Sequence, residues 1–531
     1  GWEMLRWLLK YKGVCRAPCQ VEEVGEPREL ELMLLRNCRD GFKSCRLLDV
    51  KIGQVTAVKD WHGKSAFAAW RQTFVDAVTN SVRQGFRLEG LDNPPVTVRS
   101  MYAKLEEGIP STVMGVKPKR LKRLYLQGLT GLQFVSHFLS LHDASDSTFA
   151  RKTEEAPQPE AGKPSAFRDG TRTFSSSSET LTNVEIQELV LLGCIQELAR
   201  LVAALHSVPV PQQWIGSSVM LAFDAGARPA REGNGVPVRV HIFDWGRAEL
   251  NTKERYAVMS EEDRASRRKY WGYYCGGVAK LLYDCCHLYV VRFFHPKQSV
   301  ALTMYHKHTW KADGFIGTCA LPLKEAELGG DGVTMGAAES VLDTWYGKPV
   351  KSGIIGSKEI KLGVSVVGSS LPPESRLRSR WLVHVHGAQG LPRRETFGET
   401  DSVVEVSGMS EGVQELHDAL SEPDARQALR NASHSTTVAM GTRDPEFDET
   451  IEIGTLRDEC KAEFLTSLGV AVRRQEGVGE EAVLEWFPHV VEQGCTRDEL
   501  QSRFAQACFP EMTCSMTQED RDAAATTGVC P

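Results

Sequence analysis

The sequence predicts an α+β domain followed by an antiparallel β-sandwich. Three observations carry that expectation. Apolar residues recur on a helical period over 183–207, set among segments that read as strands. From about 287 to 456 the pattern changes to short alternating segments separated by turn residues. Between 143 and 182 the apolar period is lost in a stretch that holds Pro157, Pro159, Pro164 and Ser175 to Ser178, and this reads as a flexible insertion.

The elements follow in order. Residues 1–43 mix a short helical pattern with a strand at Leu30 to Leu35, and a second strand runs from Cys45 to Ile52. Helical spacing covers Ser65 to Gln84, Gly85 to Gly90 reads as turn, strand, turn, and 115–142 is helical again. After the insertion, Ile186, Leu189, Leu192, Ile195, Leu198, Leu201 and Leu205 mark the clearest helix. Strands are expected at 217–224 and 237–244, and a helix at 266–286. Further strands are expected at 288–294, 299–305, 316–323 and 359–367, then at 381–386, 402–407, 436–440 and 449–453. Beyond 456 the pattern is helical, with a capping box at Thr496 to Glu499 and a frayed end.

At 531 residues the chain has room for about three or four domains. Lys and Arg total 63 against 69 Asp and Glu, a net charge of −6, so no nucleic-acid partner is expected and any polyanion site must be a local patch. No apolar run approaches the roughly 20 residues of a spanning helix, and the start lacks signal-peptide order. It also lacks an initiator Met, which reads as a trimmed piece. The 14 cysteines show no framework spacing, and Cys15 and Cys19 lack a second close pair to complete a zinc site. Reduced thiols and a cytoplasmic location follow, with a peripheral-membrane or nuclear one as variants.

Three constellations carry chemistry. Asp49 and Lys51 stand two apart on a strand and so share a face, where a carboxylate can take a hydroxyl proton and an ammonium can hold a phosphoryl group. A surface ion pair is the plainer reading. Asp244 ends the apolar strand His241-Ile242-Phe243 just before Gly246, a place suited to a metal carboxylate or simply to a turn cap. Lys117, Lys119, Arg120, Lys122 and Arg123 put five cations in seven residues; a solvated helix face and a phosphate clamp are both open.

Taken in order, the motifs resemble the inositol polyphosphate kinase family. They are Cys45-x3-Asp49-x-Lys51-x-Gly53, Gly85-Phe86-Arg87-Leu88-x-Gly90, Ser217-Ser218-Val219-Met220-Leu221 and Ile242-Phe243-Asp244, within about residues 30–286. The resemblance implies a two-lobed, distantly protein-kinase-like fold that uses ATP and Mg²⁺. It implies that Asp49 meets the reacting inositol hydroxyl, that Lys51 binds the transferred phosphate, and that Asp244 holds Mg²⁺. Ser218 would border the site, and Arg36, Asn37 and Cys38 would form the nucleotide hinge. The sequence departs from the family where Cys45 replaces a Pro, and where the hinge reads Leu35-Arg36-Asn37-Cys38. About 30 residues precede that hinge, so the small lobe is expected to be truncated; neither Lys10 nor Lys12 is assigned a phosphate role.

The second region resembles C2 domains with its halves in reversed order. Trp381 to Leu391, Phe397 to Asp401 and Asp444 to Glu449 look like a first half, while Ala301 to Tyr305, Asp313 to Gly317 and Lys358 to Leu362 look like a second. An isolated half would expose edges, so one permuted sandwich is favoured over two remnants. Glu395, Asp401 and Asp313 match acidic loop positions, but His306 and His308 stand where two Asp are expected, so calcium is disfavoured. The expected plan is a kinase-like domain at 1–286, C2-like halves at 287–368 and 380–456, a linker at 369–379, and a helical tail at 457–531. The expected function is ATP- and Mg²⁺-dependent phosphoryl transfer to an inositol polyphosphate, with a C2-like module for an anionic membrane or a protein. The alternative is a non-catalytic scaffold that binds inositol phosphates, lipid or protein.

Overall fold

The computed structural model describes residues 2–19, 28–59, 61–107, 118–141, 180–231, 235–245, 248–307, 313–323, 361–389, 391, 401–410, 430, 433–442 and 444–464. In the first domain the strands are β1 (Tyr11–Cys19), β2 (Arg28–Leu35), β3 (Cys45–Ile52), β4 (Phe86–Asp92), β5 (Gln213–Trp214), β6 (Ser218–Asp224), β7 (Val238–Phe243) and β8 (Ala248–Glu249). The helices are α1 (Ala66–Val78), α2 (Asn80–Gln84), α3 (Val96–Glu107), α4 (Pro118–Gly128), α5 (Gly131–Leu139), α6 (Asn183–His206), α7 (Lys253–Ala257) and α8 (Glu261–Tyr289). The second domain adds β9 (Ser299–His306), β10 (Gly314–Pro322), β11 (Lys361–Ser370), β12 (Leu377–Gln389), β13 (Ser402–Met409), β14 (His434–Ser435) and β15 (Glu446–Leu456).

The centre of the first domain is an antiparallel sheet in the order β4-β3-β6-β7. Strand β3 alternates strictly, with Leu48, Val50 and Ile52 fully buried. That period of two turns Asp49 and Lys51 to the opposite face. Helices α5, α6 and α8 close the core behind the sheet. Helix α6 begins at a capping box of Thr182 and Glu185 and is buried on most of its circumference. By length and composition alone it could cross a bilayer, contrary to the expectation that no apolar run is long enough. Its buried faces pack instead inside the protein core. Ahead of the hinge, β1 and β2 form a separate two-stranded antiparallel sheet.

The second domain packs two antiparallel sheets, β10-β9-β13-β14 and β11-β12-β15. Strands from both sides of residues 324–360 contribute to one core, among them Val300, Leu302, Val383, Val385, Val404 and Ile453.

Two expectations need correction. Residues 288–294 are not a strand: α8 runs to Tyr289 and passes into a π-helical turn at Val290–Phe294. A short apolar run fits either period, and here the continuing helix satisfies its own backbone while burying Tyr289, Val290 and Phe293. Residues 369–379 are not a linker but the end of β11, a tight turn and the start of β12. Ser375 hydrogen-bonds Glu185, Arg376 Nε donates to Glu188 at 2.9 Å, and Leu371 and Leu377 enter the core of the first domain. Helix α3 went unread. Of the tail, 458–464 is helical, with Phe464 stacked on Tyr289 at 4.6 Å; the rest, including the capping box at 496–499, lies outside the described residues.

Helix α8 meets the sheet through a glycine contact. Gly85 has φ +76°, and a Cβ there would sit 3.2 Å from Gly277 Cα, while one on Gly277 would strike the Gly85 carbonyl and lie 2.8 Å from Ile52 Cγ2. Gly277→Ala should therefore lower stability by about 1–3 kcal/mol, read as an earlier midpoint in urea unfolding.

Candidate functional site

The site is built where β3, β6 and β7 lie side by side. Lys51 pairs in register with Ser218, and Ser218 with Phe243, so the residue after Phe243 arrives beside Lys51. That residue is Asp244. Its φ of +65° is left-handed, a conformation Asp tolerates better than most residues, and it turns the chain out of the strand. Lys51 Nζ stands 3.1 Å from Asp244 Oδ2, with the lysine side chain 19% exposed and the carboxylate 52% exposed. Three of the residues expected at the site are thus brought together, and Asp49 lies two positions along the same strand face.

Asp49 faces Gly90 across the sheet, and the register slips between Asp49 and Val50, so that Glu89 is the extra residue of a bulge. A Cβ on Gly90 would lie only 3.6 Å from Asp49 Cβ, which keeps this ground close-packed. Burial raises the Asp49 carboxyl above its ordinary value; a hydrogen bond from Ser218 and the charge of Lys51 oppose that, while Glu89 and Asp244 add to it. Its Oδ1 is buried without a hydrogen-bond partner, an acceptor waiting for a donor. Ser218 is 1% exposed, so it serves Asp49 from beneath rather than opening onto a ligand.

Glu89 is the main residue that sequence reasoning missed. It accepts from Arg87 Nε at 2.7 Å, Arg123 Nε at 2.8 Å and Gln127 Nε2 at 3.0 Å. Burial would raise its carboxyl, but Arg87 and Arg123 outweigh this and hold it below its ordinary value. Arg87 is buried and also binds Asp76 and, at 2.7 Å, Ser81 Oγ. Asp76 in turn accepts from the backbone and hydroxyl of Thr56 at 2.8 and 2.7 Å. The available signal was an Arg followed by a Glu inside a short apolar strand.

The five-cation run is divided. Arg123 turns to Glu89 and the site, whereas Lys122 pairs with Glu106 at 2.5 Å and lies over the Tyr102 ring. Lys119 and Arg120 are exposed, and Lys117 lies outside the described residues. At the hinge, Arg36 N–H donates to the Lys10 carbonyl at 2.8 Å, and Asn37 Oδ1 accepts from Arg39 N–H at 3.0 Å. The Cys38 carbonyl accepts from Arg239, a β7 residue that also lies 4.0 Å from the centre of the Phe42 ring. Two hinge backbone groups are thus engaged within the protein.

At the loop end of the sandwich, cations already meet the carboxylates. Asp401 is bound by Lys104 of α3, and Asp313 by Lys307 at 2.7 Å and by Arg430. His306 is buried, its Nδ1 3.0 Å from the Asp401 carbonyl. Glu395 and His308 lie outside the described residues. Among the described residues no group of three or more metal-ligating side chains is gathered. Asp244 with one half-exposed carboxylate suits the type of cation that takes one or two protein ligands and completes its shell with phosphate and water.

The electrostatics of Asp49 have a measurable sign. A raised carboxyl holds its proton to higher pH in the folded than in the unfolded chain, so folding loses favour as pH rises from about 4 through the folded value. Asp49→Asn cannot ionise. The variant should be more stable than the wild type at neutral pH, and the difference should vanish below about pH 4, measured by thermal unfolding across that range.

Comparison with known proteins bears on the same residues. The family model for inositol polyphosphate kinase matches residues 32–281, and that for the C2 domain matches 287–339 and 379–487. Among curated proteins no sequence matches. Solved structures with a likeness include an inositol phosphate multikinase from S. cerevisiae in complex with ADP and Mn²⁺, at 13% identity, covering 53% of this chain and 89% of that one, with a TM-score of 0.30. A second inositol phosphate multikinase structure has 14% identity, covers 54% and 91% of the two chains, and has a TM-score of 0.29. The four motifs all fall inside the first matched segment, and the chain combines an inositol polyphosphate kinase domain with a C2 domain that follows it.

Proposed function

We propose that the kinase domain transfers the γ-phosphoryl group of ATP to an inositol polyphosphate, with Mg²⁺ held at Asp244. The observation that carries this reading is the Asp49, Lys51 and Asp244 cluster on adjoining strands, with an unpartnered Asp49 oxygen at its floor. Asp49 accepts the hydrogen of the attacking hydroxyl, and its desolvated carboxyl is suited to taking that proton as the new bond to the γ-phosphorus forms and the bond from that phosphorus to the bridging oxygen breaks, releasing ADP. Lys51 leaves Asp244 in part and places its ammonium against the transferring phosphoryl oxygens. When bound, Mg²⁺ would neutralise phosphate charge beside Lys51. Arg123, already turned to this ground by Glu89, supplies a donor for a ring phosphate.

The hinge favours a second reading. With the Arg36 N–H and the Cys38 carbonyl engaged internally, and a two-stranded sheet ahead of them, a domain that binds inositol phosphates without turnover fits the same geometry. The C2 domain would in either case contribute contact with an anionic membrane or a protein.

The two readings separate in one assay. With Mg·[γ-³²P]ATP and a panel of inositol polyphosphates, label should move to the inositol, and EDTA should abolish the transfer. Asp49→Asn, Lys51→Met and Asp244→Asn should each lower kcat/KM by about 100-fold or more. Binding of the inositol phosphates by calorimetry with no label transfer would select the non-catalytic reading.

A further inference from the structure

Helix α1 has an apolar face that no described residue covers. Its inner side is anchored: Ser65 caps the first turn, Ala69 is buried, and Asp76 is tied to Thr56 and Arg87. Its outer side presents Phe67, Trp70, Phe74 and Val78, which are 70, 66, 60 and 59% exposed. Steps of three, four and four residues align them in one stripe along a helix about 20 Å long, and the exposed Val82 of α2 follows. The Phe67 and Trp70 rings are 6.0 Å apart, so the patch is contiguous. The exposed Phe and Trp side chains that the structure describes all lie on this one helix.

Charge indicates what covers the stripe. Between residues 59 and 83 the cations are Lys59, Lys64, Arg71 and Arg83, and the acids are Asp60 and Asp76 alone. Asp76 is buried against Arg87 and contributes nothing outward. Arg71 and Arg83 are exposed. Aromatic side chains on one face with cations at its margin are the composition of a helix that lies in the headgroup region of an anionic bilayer.

We propose that α1 is an interfacial membrane anchor, which seats Phe67, Trp70, Phe74 and Val78 at the boundary between headgroups and acyl chains of an anionic bilayer. Arg71 and Arg83 would meet the lipid phosphates. The anchor is distinct from the C2 domain and does not depend on the kinase reading. Buried contacts through Asp76, Arg87 and Glu89 join the helix to the ground beside Asp49.

The test is sedimentation of the full chain in EDTA with vesicles of phosphatidylcholine containing phosphatidylserine, against phosphatidylcholine alone. The wild type should pellet with the anionic vesicles only, and less so as salt is raised. The double variant Trp70→Glu with Phe74→Glu, checked for an unchanged thermal midpoint, should lose about tenfold or more of that binding, and Arg71→Glu should weaken it. Should the double variant unfold, fluorescence quenching by brominated lipid decides, because Trp70→Phe removes an exposed indole conservatively and should abolish most of the quenching. A wild type that stays in the supernatant, or variants that pellet and quench like the wild type, would overturn the proposal. So would a wild type that elutes as a dimer, ignores vesicles and becomes monomeric in the double variant, since the stripe would then be a face for a second copy.

Discussion

The alternation of strand β3 is the constraint on which the site depends. Leu48, Val50 and Ile52 commit one face to the core, and the pleat then has no choice about Asp49 and Lys51. Flanking strands fill in the rest. β6 supplies Ser218 under Asp49, β7 ends so that Asp244 reaches Lys51, and the bulge on β4 swings Glu89 toward Asp49. A slip of one residue in β3 would bury an acid and a base and expose three large apolar side chains, so the register that folds the domain is also the one that assembles the candidate site.

A buried polar network makes this arrangement rigid. Arg87 sits inside the protein, and its charge is tolerable only because Asp76, Glu89 and Ser81 surround it. Through those partners it ties α1, α2 and β4 together, and Arg123 extends the network to α4. The Arg123 guanidinium is therefore held by the Glu89 carboxylate, which keeps Arg87 and Gln127 as further partners.

The second domain is joined to the first by charge and packing alike. The turn between β11 and β12 is clamped on α6 by Ser375 and Arg376, Ser136 of α5 donates to the Ser433 carbonyl at 3.0 Å, and Lys104 meets Asp401. Arg292, buried at this junction, is lowered to about 9 by desolvation, a mark of how dry the contact is. The acidic loop positions that would otherwise draw a cation are answered by lysine and arginine side chains of the protein itself.

Much was legible in the sequence because its signals are local. The spacing of Asp49 and Lys51, the Gly85-Phe86-Arg87 strand and the Asp after Ile242-Phe243 each need only a few neighbouring residues, and helix α6 declares itself by period. What failed was set by contacts distant along the chain. The prolines and serines of 369–379 look like a linker until Glu185 and Glu188 are placed opposite them; 288–294 looks like a strand until Phe464 packs there. The basic run looks uniform until Glu106 draws off Lys122 and Glu89 takes Arg123. Sequence by itself determined which residues could gather at the candidate site, because residue type and alternation are properties of short segments. Tertiary structure alone decided which charges remain available to a ligand and which are spent inside the protein, because a side chain's partner is chosen by the strand or helix that folding brings beside it.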